Sequence, residues 1–218
     1  MTVPMLIIAL PHTAHPSTSY AHVHSDGHSV VRSASGMAAT LSAHAGVVVA
    51  VVPHSRLSWL RVQLPPASHG PRLQTVLQGL LEDRLLDEPQ QLHLVLAPDA
   101  EHIARTGGDT VVAVCHKTWL REALAPLQAA GLNVQRIVPE LSPSDAPTLH
   151  VMGEPDHAHS VLCHAHGVTL MPPNTAQWHA FAQLSQDHLQ IQAEPAMVSR
   201  VQSTLQRQPM LQSAAQRW

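Results

Sequence analysis

The sequence predicts an α/β protein with mixed sheets, and three observations carry that prediction. Residues 46–53, GVVVAVVP, are rich in β-branched side chains, the composition of a buried strand. LSWLRVQLP at 57–65 alternates, with Leu57, Trp59, Arg61 and Gln63 on one face and Leu60, Val62 and Leu64 on the other. The period then changes: Leu73, Val76, Leu77, Leu80, Leu81 and Leu85 recur at helical spacing across residues 70–89.

The other elements follow in order. Residues 5–10, bracketed by Pro4 and Pro11, read as a short buried strand. They lack the charged start of a signal peptide and the length of a membrane helix. Residues 19–28 alternate toward an Asp26-Gly27 hairpin turn, with a further strand at 29–32. Residues 35–44 predict a short helix ended near Gly46. Strands are expected at 91–98 and 109–116, with residues 106–109 as a loop. Residues 117–131 predict a helix with Trp119, Leu120, Ala123, Leu124 and Leu127 inward, Gly131 as its stop, and Pro126 kinking or splitting it. A strand ending at Pro139 follows, and the Ser/Pro-rich stretch 141–148 reads as a linker. Beyond it lie strands at 148–153, 159–165 and 167–171. A helix capped by Asn174 and Gln177 comes next, with Trp178, Phe181 and Leu184 inward. A last helix starts at Pro195, with Val198, Val201 and Leu205 on one face. No internal repeat is visible beyond a loose recurrence of strands followed by a helix.

Composition narrows the function. A chain of 218 residues can bury a sizeable core, and 44% hydrophobic residues rule out a disordered tail. The formal charge of -3 argues against nucleic acid as the partner, and 3% aromatics argue against a base-stacking platform. Histidine is overused: protonating all 18 would reverse the net charge below about pH 6.5. Cys115 and Cys163 make no disulfide framework and suit a reducing compartment.

Chemistry-bearing motifs are sparse. Neither GxxxxGK[ST] nor GxGxxG occurs, and Gly107-Gly108 reads as a turn, so the backbone cradle for phosphate is missing. His22-Val23-His24, His157-Ala158-His159 and His164-Ala165-His166 each place two imidazoles at strand spacing. His157, His159, His164 and His166 are thus an alternative metal set, meeting across a hairpin. Against it, such pairs arise readily in so His-rich a chain, and only Glu154 and Asp156 lie near as supporting carboxylates. Cys115-His116 and Cys163-His164 point to opposite strand faces, so neither is a nucleophile–base pair. Glu82, Asp83, Asp87 and Glu88 form an acidic helix end, where the macrodipole disfavours them by roughly 0.3–1 kcal/mol each. Local stability does not explain that placement, and a solvated face is the ordinary reading. No catalytic residue and no cofactor is assigned.

The order of the pieces is distinctive. The Val-rich strand ending in Pro, the strand ending in Leu-Pro, LLEDRLLDEPQQLHLVLAP, and AAGL before a strand ending in Val-Pro-Glu follow one another over residues 46–142. This resembles the cytoplasmic region of the type II secretion system protein L family. The resemblance implies an actin-like ATPase (ribonuclease-H-like) fold without working nucleotide chemistry. It implies two lobes: residues 1–142, with an inserted strand-helix subdomain over about 54–110, and residues 143–218, whose C-terminal helix leads toward a membrane helix absent from this chain. It implies a non-catalytic scaffold on the cytoplasmic side of the inner membrane. The implied partners are the N-terminal domain of the secretion ATPase (the E protein), the M protein, other platform components and a second copy as a homodimer. Glu82, Asp83, Asp87 and Glu88 are then the candidate partner-facing residues.

Overall fold

The computed structural model describes residues 3–13, 15, 18–41, 46–97, 100–171, 178 and 189–213. The chain opens with β1 (Met5–Ala9), β2 (Ser19–Ser25), β3 (Val30–Met37) and β4 (Val47–Val52). It continues through β5 (Ser58–Leu64), α1 (Pro71–Leu81), β6 (Leu92–Leu96), α2 (Glu101–Thr106) and β7 (Gly108–His116). Then come α3 (Lys117–Ala129) and β8 (Arg136–Pro139). The last elements are β9 (Thr148–Met152), β10 (His159–His164), β11 (Gly167–Met171), β12 (Gln190–Ala193), α4 (Val198–Leu205) and β13 (Met210–Leu211).

Two five-stranded sheets share one plan. The first runs β3-β2-β1-β4-β8 and the second β11-β10-β9-β12-β13. In each, three strands form an antiparallel meander and two more add in parallel beside the first strand. This duplicated order makes the fold a two-lobed mixed α/β architecture of the actin-like class. The repeat had no counterpart in the sequence pattern. Between β4 and α3 the first lobe carries a third sheet, β5-β7-β6, all antiparallel.

Helix packing follows the side-chain periods. Trp119, Ala123 and Leu127 of α3 bury against Leu6, Ile8, Val48 and Ala50 of the first sheet, and the Tyr20 hydroxyl donates to Ala123 O at 3.1 Å. Gly131, at φ +77°, ends α3: its N–H bonds Gln128 O and the Leu132 N–H bonds Leu127 O, the Schellman pattern. Pro126 stays within a continuous helix, so the expected split does not occur. Leu77 and Leu81 of α1 pack on Val62, Leu64, Leu94, Val112 and Val114 of the three-stranded sheet. Val201 and Leu205 of α4 pack with Leu149, Ile191 and the fully buried Trp178.

Three expectations are corrected. Residues 35–37 belong to β3 and 38–40 to a 3-10 turn rather than to a helix, because Gly36 and Ser35 pair with Tyr20 and Ala21. The amphipathic helix ends at Leu81, and Glu82–Arg84 form a 3-10 turn. Residues 106–109 are not all loop, since α2 ends at Thr106 and β7 begins at Gly108. The expected helix from Asn174 lies outside the described residues except at Trp178.

Candidate functional site

Ligands in open α/β sheets bind at the carboxyl ends of the parallel strands. In the first lobe, the ends of β1, β4 and β8 lead to His12, His54 and Glu140. Glu140 Oε2 accepts the His54 backbone N–H at 3.2 Å and lies 2.9 Å from His54 Nδ1, with both side chains largely buried. The His12 ring meets that of His54 edge-on at 6.4 Å, and His12 Nδ1 lies 2.6 Å from Ser55 Oγ. From the second lobe, His159 stacks on His54 at 5.5 Å with an interplanar angle of 22°. The second lobe closes its own strand ends in the same way: Glu194 Oε2 accepts the Gly153 N–H at 2.7 Å. At both sites a carboxylate of the chain accepts a backbone N–H at a strand end.

This grouping was not expected from the sequence. His12, His54, Glu140 and His159 come from four separate segments, and among 18 histidines no local spacing singles them out.

The expected metal set is not brought together. His157 lies in the 3-10 turn Pro155–His157 and His159 opens β10, so they do not share a strand face. His164 ends β10 while His166 sits in the following turn; their rings are 5.9 Å apart. The two pairs are separated by the length of β10, about 16 Å at the rise of a strand. Among the described residues, no group of three or more His, Cys, Asp or Glu is placed to hold a metal ion. Partial burial, with His166 beside it, lowers the pKa of His164. Burial raises the Cys115 thiol to about 11 and the Cys163 thiol to about 12, which leaves both as unreactive packing groups.

The acidic residues lie together on the three-stranded insert. Glu82 and Asp83 fall in the 3-10 turn, Asp87 and Glu88 in the loop before β6, and all four are exposed. The loop is pinned at both ends. Arg84 donates to Arg61 O at 2.5 Å, and Lys117 Nζ donates to Gln90 O at 2.8 Å. Between these anchors Leu85 packs on the insert's core while Leu86 is 105% exposed. The loop thus presents an exposed leucine within a stretch that carries four exposed carboxylates. The helical period in the sequence includes Leu85, which packs inward, and does not include Leu86, which is exposed.

A duplicated mixed sheet, an insert in the first half and strand ends filled by the chain's own carboxylates define a two-lobed α/β protein of the actin-like ATPase fold class. The chain belongs to the type II secretion system protein L family: that family's model matches residues 6–209. The solved cytoplasmic domain of EpsL, an inner membrane component of the type II secretion system of Vibrio cholerae, is similar at 20% identity and a TM-score of 0.61. The match covers 87% of this chain and 81% of that one. A PilM–PilN type IV pilus biogenesis complex is similar at 10% identity and a TM-score of 0.54, over 98% of this chain and 89% of that one. No curated protein sequence matches the chain significantly. Among the described residues, no helix is long and apolar enough to cross a membrane.

Proposed function

We propose that this chain is the cytoplasmic, non-catalytic scaffold of a type II secretion inner-membrane platform, docking the N-terminal domain of the secretion ATPase to the M protein and other platform components. In this reading it sits on the cytoplasmic side of the inner membrane and works as a homodimer. Its first lobe ends near 142, with the inserted subdomain over about residues 54–110. The observation that carries the reading is the pinned acidic loop with Leu86 fully exposed. An exposed leucine offers apolar area for a partner to cover, and pinning both ends of its loop removes part of the ordering cost of binding. The carboxylates give the loop a field that would steer a basic partner. The carboxylates at the strand ends support the non-catalytic part of this reading, since a negative charge there disfavours a bound phosphate.

The test is binding of the ATPase N-terminal domain. Replacing Leu86 with alanine should weaken it about tenfold, the scale of an interfacial anchor. The pair Glu82→Lys and Asp83→Lys should slow association and flatten its salt dependence, with folding unchanged. Wild-type affinity and association rate in both variants would remove the loop from the interface.

A further inference from the structure

The face of the first sheet that packs under α3 holds a trough, and the second sheet has that place covered. Tyr20, His22 and His24 alternate along β2, so all three turn to this face, where the Tyr20 hydroxyl meets Ala123 O. Directly opposite residues of a strand pair share a face. Gly36 therefore lies beside Tyr20, Ala34 beside His22 and Arg32 beside His24. β3 is stripped to a glycine and an alanine where β2 carries rings. The turn after β3 needs that gap, since a Cβ on Gly36 would lie 2.8 Å from Thr40 Oγ1. What remains is a cavity of about 470 Å³ between the two imidazoles, Arg32 and Thr40. In the second lobe residues 172–189 join β11 to β12, and fully buried Trp178 donates to Ser160 Oγ of β10 at 3.0 Å. In the first lobe residues 38–46 alone join β3 to β4.

The charge that lines the trough has one sign. Asp26 is the sole carboxylate among residues 1–81, and its own hairpin occupies it, through the His28 and Ser29 N–H groups at 2.8 Å each. Among the described residues no carboxylate lines the cavity, and α3 brings neither Arg121 nor Glu122 to its walls. β1 sets Leu6 and Ile8 beside the two imidazoles. Among the described residues Arg32 makes no hydrogen bond or ion pair, so its guanidinium keeps its donors for a ligand. His22 is 8% exposed, and its Nδ1 lies 3.3 Å from Tyr20 O. A carbonyl only accepts, so Nδ1 carries the proton and Nε2 is the ring nitrogen left over. The His24 ring stands edge-on to that of His22, with centroids 5.4 Å apart. Two neutral imidazoles alone would suit a transition metal. The guanidinium opposite them repels a cation and, with protonated imidazoles, attracts an anion.

We propose that this trough binds a small phosphorylated molecule, with Arg32 and the protonated forms of His22 and His24 on the phosphate and the uncharged part over Ala34 and Gly36. Its volume falls within the range of small-molecule sites. The trough lies apart from the acidic loop, and the proposal does not depend on what that loop binds.

The probes are ribose 5-phosphate and inorganic phosphate, titrated calorimetrically into the full chain at about pH 6 and about pH 8, on either side of the ordinary imidazole range. Saturable binding of both is expected, with ribose 5-phosphate the tighter. Arg32→Gln should weaken it at least about tenfold, and Arg32→Lys should restore part of the loss. Ala34→Leu, on the edge strand, should fill the trough and abolish binding while leaving the melting temperature unchanged. Sulfate, whose own charge is constant over this range, should bind at least about tenfold more weakly at the higher pH, and His22→Gln should flatten that dependence. The variant carrying Glu82→Lys and Asp83→Lys should bind the probes normally, so loss of ATPase docking and loss of trough binding are separable. Four results would overturn the proposal. They are no saturable binding of either phosphate, full affinity in Arg32→Gln, Zn²⁺ binding that excludes the probes and survives Arg32→Gln but not His22→Gln, or binding to phosphatidylglycerol vesicles with none to the soluble probes. The third makes the trough a cation site, and the fourth a lipid surface.

Discussion

The two lobes follow the same strand order and differ in what lies between equivalent strands. In the second lobe β12 leads through a single 3-10 turn into α4. In the first, β4 is separated from α3 by a whole sheet and two helices. That insert carries the acidic loop with Leu86. The strand ends where a ligand would ordinarily bind are filled in both lobes, by Glu140 on His54 and by Glu194 on Gly153. The contrast teaches that this chain keeps the frame and places its acidic loop on one insertion.

The largest expected effect tests whether each lobe rests on its own core. Leu127→Ala in α3 and Trp178→Ala in the second lobe should each cost about 3–5 kcal/mol, since both side chains are fully buried. Chemical denaturation should show the loss. If both variants lower one common transition equally, the lobes unfold together; two separated transitions would divide them.

A smaller effect sharpens the comparison of the filled strand ends. Glu140→Ala strips the carboxylate from buried His54, and Glu194→Ala strips it from the Gly153 N–H. Each should cost about 1–3 kcal/mol, the penalty of leaving a buried polar group unsatisfied. The stacking of His159 on His54 ties the first of these to the lobe junction, so Glu140→Ala should also speed proteolysis of the 141–147 connection. A cut rate unchanged from wild type would detach that pair from the junction.

The thiols provide a probe of both halves at once. With Cys115 near 11 and Cys163 near 12, neither should react with iodoacetamide at pH 8 in the folded chain, and both should react on unfolding. Mass spectrometry would show whether the lobes release them together.

The smallest effect is a pH dependence at β10. His164 has a folded pKa held below its ordinary value, mainly by burial and then by His166. The unfolded chain therefore takes up the proton first, so stability falls as pH drops through about 6.5 toward the folded value. His164→Asn should flatten that part of the profile. An unchanged slope would move the dependence to other histidines.

Much of the frame was legible in the residues. The β-branched run at 47–52, the leucine period of α1 and the inward face of α3 each state their environment locally. The rest depends on contacts distant in sequence. β3 runs through the small residues Ser33, Ala34, Ser35 and Gly36 to Met37, because its pairing with β2 decides the matter. α2 has only six residues, too few to display a period, and β12 and β13 are short strands, β12 added beside β9 and β13 beside β12. The duplicated topology stayed hidden because equivalent strands share an order, not a sequence pattern. The acidic loop could be read as a charge run. That Leu86 stands bare inside it is seen in the packing, where Leu85 turns to the insert's core and Leu86 away from it.

The most direct measurement is hydrogen–deuterium exchange of the chain alone and bound to the N-terminal domain of the secretion ATPase. Protection should concentrate on residues 82–91, with little change at His12, His54 and His159. Protection at those strand ends, with the loop as exposed as in the free chain, would contradict docking through the insert.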